Sequence, residues 1–257
     1  MLQVASALKG YAIEAKDGRI GSVSDFLFDD STWKVRWLVV DTGSWLRGRK
    51  VLVHPSAIER ADYGRQELAV ALTTAQVKDS PDIFQDQPVS QRMENSLYDY
   101  YGWNPGWGGG MVGMGVSAIA SPLSSRPYFG EAAVLDAERR EAGPEEGDPH
   151  LRSMAAVTGY RVHTTDGEIG HVEDFMIDGV SWDVRYLIID TRNWWVGQHV
   201  LMAPQAVRDI DWSDRHIQLD TTRDQVKAGP PWNPADMINE AFQQRLHGHY
   251  GWRNFGW

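Results

Sequence analysis

The chain contains no cysteine. Disulfides, thiolate nucleophiles and Cys-ligated zinc are therefore excluded. No stretch reaches the roughly 18–20 apolar residues that a membrane helix needs. The nearest candidate, residues 106–120, is short and glycine-rich. Met1 to Ser6 lacks a basic region ahead of an apolar run, so no secretory leader is expected and the expected location is cytoplasmic. Positive charge is scarce: 25 Lys and Arg face 35 Asp and Glu, a net charge of −10. Sequence-independent binding to phosphate backbones or to an anionic membrane needs the opposite balance. Phenylalanine is also low, at 7 residues, whereas tryptophan reaches 12. Trp is enriched in interface cores, which directs attention to where these residues fall.

What the 257 residues do contain is one pattern written twice. From Gly10 to Pro55 the chain reads G-Y-x5-D-G-x-I-G-x-V-x-D-F-x2-D-x3-W-x-V-R-W-L-x2-D-T-x2-W-x2-G-x2-V-L-x2-P. Gly159 to Pro204 repeats it at a constant offset of 149, with Tyr186 in place of Trp37. Tyr101-Gly102-Trp103 recurs as Tyr250-Gly251-Trp252. A period this long marks duplicated domains, since solenoid repeats run to about 20–50 residues. The expected division is 1–107 for the first repeat with its tail, 108–150 for a glycine-rich and acidic linker, and 151–257 for the second.

Each repeat opens on a hairpin signal, Asp17-Gly18 and Asp166-Gly167, suited to a tight turn with positive φ. The second strand runs to about Phe28. The third, Val35–Val40 and Val184–Ile189, is nearly continuous in apolar character, as in a strand buried on both sides or covered by a neighbour. Short strands follow near 50–53 and 67–70 and in their copies. Several short strands in about 65 residues point to a small barrel. Gly21 and Gly170 lie mid-strand, where a bulge or sharp bend would let the barrel close. A Thr-capped helical turn follows at 73–78, then a longer helix at about 89–101, and in the copy at about 234–250.

These motifs resemble the PRC-barrel family, which includes the cytoplasmic domain of the photosynthetic reaction centre H subunit and the C-terminal domain of a ribosome maturation factor. The resemblance covers roughly 7–81 and 156–230. It implies a mainly β protein: two small antiparallel PRC-type barrels, each followed by a short helical tail. Its fold signature here is Gly18, Gly21, Asp25 and Asp41, repeated as Gly167, Gly170, Asp174 and Asp190. Family members act as docking and assembly modules on different machines, so the resemblance implies a class of role and no particular activity.

Three constellations invite chemistry. Asp41-Thr42-Gly43 matches the aspartic protease loop, but such enzymes need two of them sharing a proton, and the second copy reads Asp190-Thr191-Arg192. The Arg argues against hydrolysis, and strand termination and turn capping explain the aspartates. His54, His163, His171, His199 and His216 align with Ala203, Glu14, Ser22, Lys50 and Glu67, so no ligand set is shared by both copies. His247 and His249 lack further ligands. Asp25, Asp29, Asp30, Asp174 and Asp178 cluster at a strand and turn without EF-hand spacing, and turn-forming aspartate accounts for them. No catalytic residue, metal or cofactor is expected.

The aromatics carry the functional expectation. Trp45, Trp194 and Trp195 fall in a loop between strands, and Trp103, Trp107, Trp252 and Trp257 lie beyond the helices. They are candidate interface residues, either in a seam between repeats or on a face for an outside protein. The expected protein is a non-enzymatic scaffold whose repeats pair within the chain, with further homo-oligomers open. The alternatives are an RNA- or ribosome-associated factor and a peripheral partner of a membrane complex. Nucleic acid binding is disfavoured by charge, and no membrane insertion is expected.

Overall fold

The computed structural model of the chain describes residues 1–46, 48–81, 89–103, 148, 150–191, 198–233, 236 and 238–252. Contacts divide the chain into two units. Met1–Asp79 and His150–Trp257 form one, and Ser80–Pro149 the other. The repeat-based division and the contact-based one follow different things: the first tracks the duplication, the second the strand pairing described below.

In the first repeat the strands are β1 (Leu2–Val4), β2 (Ala12–Ala15), β3 (Gly18–Asp29), β4 (Lys34–Asp41), β5 (Lys50–Val53), β6 (Ile58–Asp62) and β7 (Glu67–Val70). Helix α1 (Ala5–Leu8) follows β1, and α2 (Thr74–Lys78) follows β7. The second repeat has β8 (Leu151–Ser153), β9 (Arg161–Thr164), β10 (Gly167–Asp178), β11 (Val184–Asp190), β12 (His199–Met202), β13 (Val207–Asp211) and β14 (His216–Leu219). After the first set of strands in sequence, α3 (Gln91–Tyr101) belongs to the smaller unit. Helix α4 (Met154–Val157) follows β8, and α5 (Arg223–Ala228) and α6 (Glu240–Tyr250) follow β14.

Each repeat forms a strongly bent sheet, in the order β5-β4-β3-β2-β7-β6 and its copy β12-β11-β10-β9-β14-β13. The barrel-like wrap is present, but neither sheet closes among the described residues. The pairing is mostly antiparallel, as the resemblance implied, with one parallel pair in each sheet. β2 runs parallel to β7, and β9 to β14. The four strands between them supply the long connection that a parallel pair requires.

The hairpin loop is Lys16-Asp17, and the positive φ falls on Gly18 (152°) at the start of β3, with Gly167 at 145° in the copy. The aspartate has a second task. Asp17 accepts hydrogen bonds from the Thr74 N–H at 2.7 Å and the Thr74 hydroxyl at 2.9 Å, and Asp166 accepts from the Arg223 N–H at 2.9 Å. Each hairpin thus holds the N-terminus of the short helix after the barrel. Donation from the Thr74 and Arg223 N–H groups keeps both carboxyls below their ordinary pKa. Capping boxes, Thr73 with Gln76 and Thr222 with Gln225, complete those helix starts.

Gly21 and Gly170 follow bulges at Ile20 and Ile169. A bulge alone does not demand glycine. A Cβ at Gly21 would strike the carbonyl of Asp41, and one at Gly170 that of Asp190. The end of β4, or of β11 in the copy, lies directly over the glycine, which is what lets the sheet curl this tightly. Core positions such as Ile13, Phe26, Val35 and Trp37, with Val162, Phe175 and Tyr186 in the copy, are 0% exposed.

In the smaller unit, α3 starts two residues later than the periodicity indicates. Ser90 caps it by accepting from the Met93 N–H at 3.2 Å, and Gly102 ends it in the left-handed conformation. In the larger unit, α6 begins only at Glu240, where Asn239 caps it by accepting from the Phe242 N–H at 2.9 Å.

The seam between the repeats and a candidate docking surface

The two repeats exchange strands. β1 of the first repeat pairs with β10 of the second, Leu2 opposite Asp178 and Val4 opposite Met176. β8 of the second pairs with β3 of the first, Leu151 opposite Asp29 and Ser153 opposite Leu27. The long strands β3 and β10 outrun their hairpin partners, leaving a free edge that the other repeat fills. An unfilled edge would offer unpaired N–H and C=O groups to any chain.

Asp25 and Asp174, part of the fold signature, fasten the exchange. Asp25 accepts from the Ser153 hydroxyl at 2.5 Å and from the Ala155 N–H at 3.2 Å, at the start of α4. Asp174 accepts from the Ser6 N–H at 3.3 Å, at the start of α1. Each carboxylate therefore caps a short helix of the opposite repeat. Asp29 and Asp178 hold their own turns: Asp29 accepts from Ser31 and Thr32, and Asp178 from Val180 and Ser181. Burial pushes both carboxyls up, but these hydrogen bonds, with Arg36 beside Asp29 and the N-terminal ammonium beside Asp178, outweigh it and leave both below the ordinary value. Asp30 binds across the seam, to His150 at 2.8 Å and Arg152 at 2.9 Å. Arg152 in turn lies 4.0 Å from the ring centre of Trp212.

A second seam element is missing from the interface residues named by the sequence reading. Trp33 and Trp182 adopt left-handed backbone, φ 55° and 62°, a strained state for a bulky residue. The Trp33 carbonyl accepts from the Val184 N–H at 2.7 Å, and the Trp182 carbonyl from the Val35 N–H at 2.9 Å. Phe28 stacks on Trp33, Phe26 meets Trp182, and Phe28 meets Phe175 across the repeats at 5.6 Å. The available sequence signal was a Trp retained in both copies between a turn and a strand.

Of the tryptophans named from sequence, Trp45, Trp103 and Trp252 lie among the described residues. Trp45 stands 41% exposed at the tip of the β4–β5 loop. Trp194, Trp195, Trp107 and Trp257, and nearly all of the 108–150 linker, lie outside the described residues. Trp103 is half-buried in the smaller unit and stacks on Tyr101 at 4.1 Å. Trp252 stacks on Tyr250 at 4.3 Å. It packs, with Ile238, Phe242, Leu2 and Val4, against a core of Met176, Tyr186, Leu201, Trp232 and Leu246. Helix α6 thus covers the face of the second sheet, and Leu2 and Val4 of the exchanged strand pack against the same core. The Tyr186 hydroxyl is 2.8 Å from His247 Nε2, and burial pushes the Tyr186 phenol up.

Asp41 accepts from the Gly43 N–H at 2.8 Å, while the Thr42 hydroxyl donates to the Arg49 carbonyl at 2.6 Å and ties the loop ends together. Asp190, 0% exposed, sits in the other sheet. There its carboxylate and the ligand atoms of Glu173 and His199 all lie within 4.8 Å of one another, and His171 Nε2 is 3.9 Å from Asp190. His54 is buried against Trp37, ring centres 5.4 Å apart. Burial, with Arg36 and Lys34 nearby, lowers its pKa to about 4.

Two curled sheets joined by reciprocal strand exchange define a pseudo-two-fold, two-barrel protein. The PRC-barrel domain family matches residues 5–77 and 153–226, together more than half of the chain, and the chain belongs to that family. No curated protein matches it. No helix among the described residues is long and apolar enough to cross a membrane.

Proposed function

We propose that this chain is a non-enzymatic scaffold that docks another protein in the cytoplasm. The observation that carries the reading is the exchange itself. It makes the two barrels one body, which carries the β4–β5 loop of the first repeat. Trp45 is exposed on that loop, and the corresponding stretch of the second repeat carries Trp194 and Trp195 in sequence. An exposed Trp on a loop braced at its base is an anchor suited to a partner's pocket. The acidic balance favours a protein over nucleic acid, which ranks the RNA-associated reading second.

The test places a photo-crosslinking residue at Trp45, and separately at exposed Glu59, in the native host. A discrete protein adduct formed from position 45 and absent from 59 is the expected result. RNA adducts, or equal labelling from both positions, would defeat the proposal. So would hydrolysis of a protein substrate that disappears in Asp41→Asn.

A further inference from the structure

We propose that the second repeat, and only the second, carries a binding site for a divalent transition-metal ion of the zinc class, built from Glu173, Asp190, His199 and His171. The inference is independent of the docking reading. It starts from sheet register. His171 on β10 is directly opposite Asp190 on β11, and Asp190 is directly opposite His199 on β12. Residues opposite one another in a ladder project to the same face. Three strands therefore set His, Asp and His in one row, with the carboxylate in the middle.

The fourth member comes from a bulge. The β10–β11 register shifts between Val172 and Asp174, which leaves Glu173 as the extra residue. Such bulges re-aim side chains. Glu173 is turned onto the row, its carboxylate 2.8 Å from His199 Nε2. The ligand atoms of Glu173, Asp190 and His199 already lie within 4.8 Å of one another, and His171 Nε2 lies 3.9 Å from the Asp190 carboxylate. Metal bonds of about 2.0–2.2 Å to imidazole nitrogen and carboxylate oxygen need only small side-chain movements from there. Two imidazoles and two carboxylates suit zinc, nickel or cobalt better than the all-oxygen shells of calcium or magnesium. Asp190 forms a fully buried base, while Glu173 is exposed at the mouth, so an ion can enter from solvent.

The first repeat is the internal contrast. Its bulge is present, between Val23 and Asp25, but the bulged residue is Ser24, whose hydroxyl donates to the Val39 carbonyl at 3.0 Å. The remaining equivalents are Ser22, Asp41 and Lys50, a single carboxylate facing an amine. The same fold thus has the site in one copy and not in the other. A second group, Asp211, Asp214 and His216, is a turn: the Asp211 carboxylate already accepts from the Ser213 and Asp214 N–H groups.

The experiment is calorimetric titration of the full, tag-free chain with zinc chloride, paired with the absorption spectrum of its cobalt(II) form. One ion per chain is expected, with cobalt bands of nitrogen and oxygen ligation. Glu173→Gln and His199→Ala should each weaken binding by at least about tenfold, while His216→Ala binds as the parent does. Urea unfolding without metal establishes that each variant is folded; Glu173 is exposed, so its variant keeps the fold. The absence of saturable one-to-one binding would overturn the site, as would binding unchanged in both Glu173→Gln and His199→Ala, or binding lost in His216→Ala.

Discussion

Lys34 and Asp183 occupy the same place in the two repeats, and they form an ion pair with each other at 3.6 Å. Their backbones also bridge. A residue that meets its own equivalent marks a two-fold axis. In a homodimer of one repeat this contact would join two identical charges. Duplication within one chain allows it to join opposite ones, favouring pairing inside the chain over pairing between chains. Reversing one charge, by Lys34→Asp or Asp183→Lys, should destabilise the chain by up to about 1 kcal/mol, since both side chains are partly solvated. The double exchange should recover most of that loss. Urea denaturation across the four-member cycle measures the coupling.

Cleaving the chain at a protease site engineered within residues 104–147 should leave the halves together. Each half contributes a strand to the other's sheet. Size-exclusion chromatography should show one species until denaturant is added. Separation of the halves in native buffer would show that the exchange does not hold them.

Gly21→Ala and Gly170→Ala should both destabilise, because each new methyl meets a backbone carbonyl that cannot step aside. Overpacking of this kind costs about 1–3 kcal/mol. Gly170 should suffer more, since its φ of 140° adds backbone strain that Gly21 escapes. Thermal unfolding of the two variants gives the order directly.

His54 should make stability pH-dependent. Its pKa falls from 6.5 when unfolded to about 4 when folded, chiefly through burial and then through Arg36 and Lys34. The unfolded chain therefore binds the extra proton between those values. The stabilisation is fully present above pH 6.5 and is lost as pH falls toward 4, by roughly 2–4 kcal/mol at that point. His54→Ala, which installs the residue found at the equivalent Ala203, should remove that portion of the slope. Paired urea titrations of parent and variant at pH 7 and pH 5 read it. Asp29 and Asp178, whose pKa values are lowered, lose their contribution only below the ordinary carboxylate range, outside this window.

Much of this architecture is local and therefore legible along the chain. The repeat, the buried third strand, the Asp-Gly hairpins, the Thr caps and the mid-strand glycines all follow from spacing and side-chain type. Each depends on neighbours within a few residues, or on a period that one face of one strand displays. The place of Trp45 in a loop between strands was readable for the same reason, and its exposure was not. What the sequence could not disclose is which edge each strand completes. β1 and β8 are three residues long, too short to show a period, and a free edge presents the same N–H and C=O groups to any strand that reaches it. Only the folded chain decides that Leu2–Val4 joins the second sheet and Leu151–Ser153 the first. The consequences are equally non-local: Asp25 and Asp174 cap helices of the opposite repeat, Trp33 and Trp182 lie on the seam, and Lys34 finds its own counterpart. The row His171, Asp190, His199 belongs with them. Scattered histidines become neighbours only when strand register brings three backbones side by side.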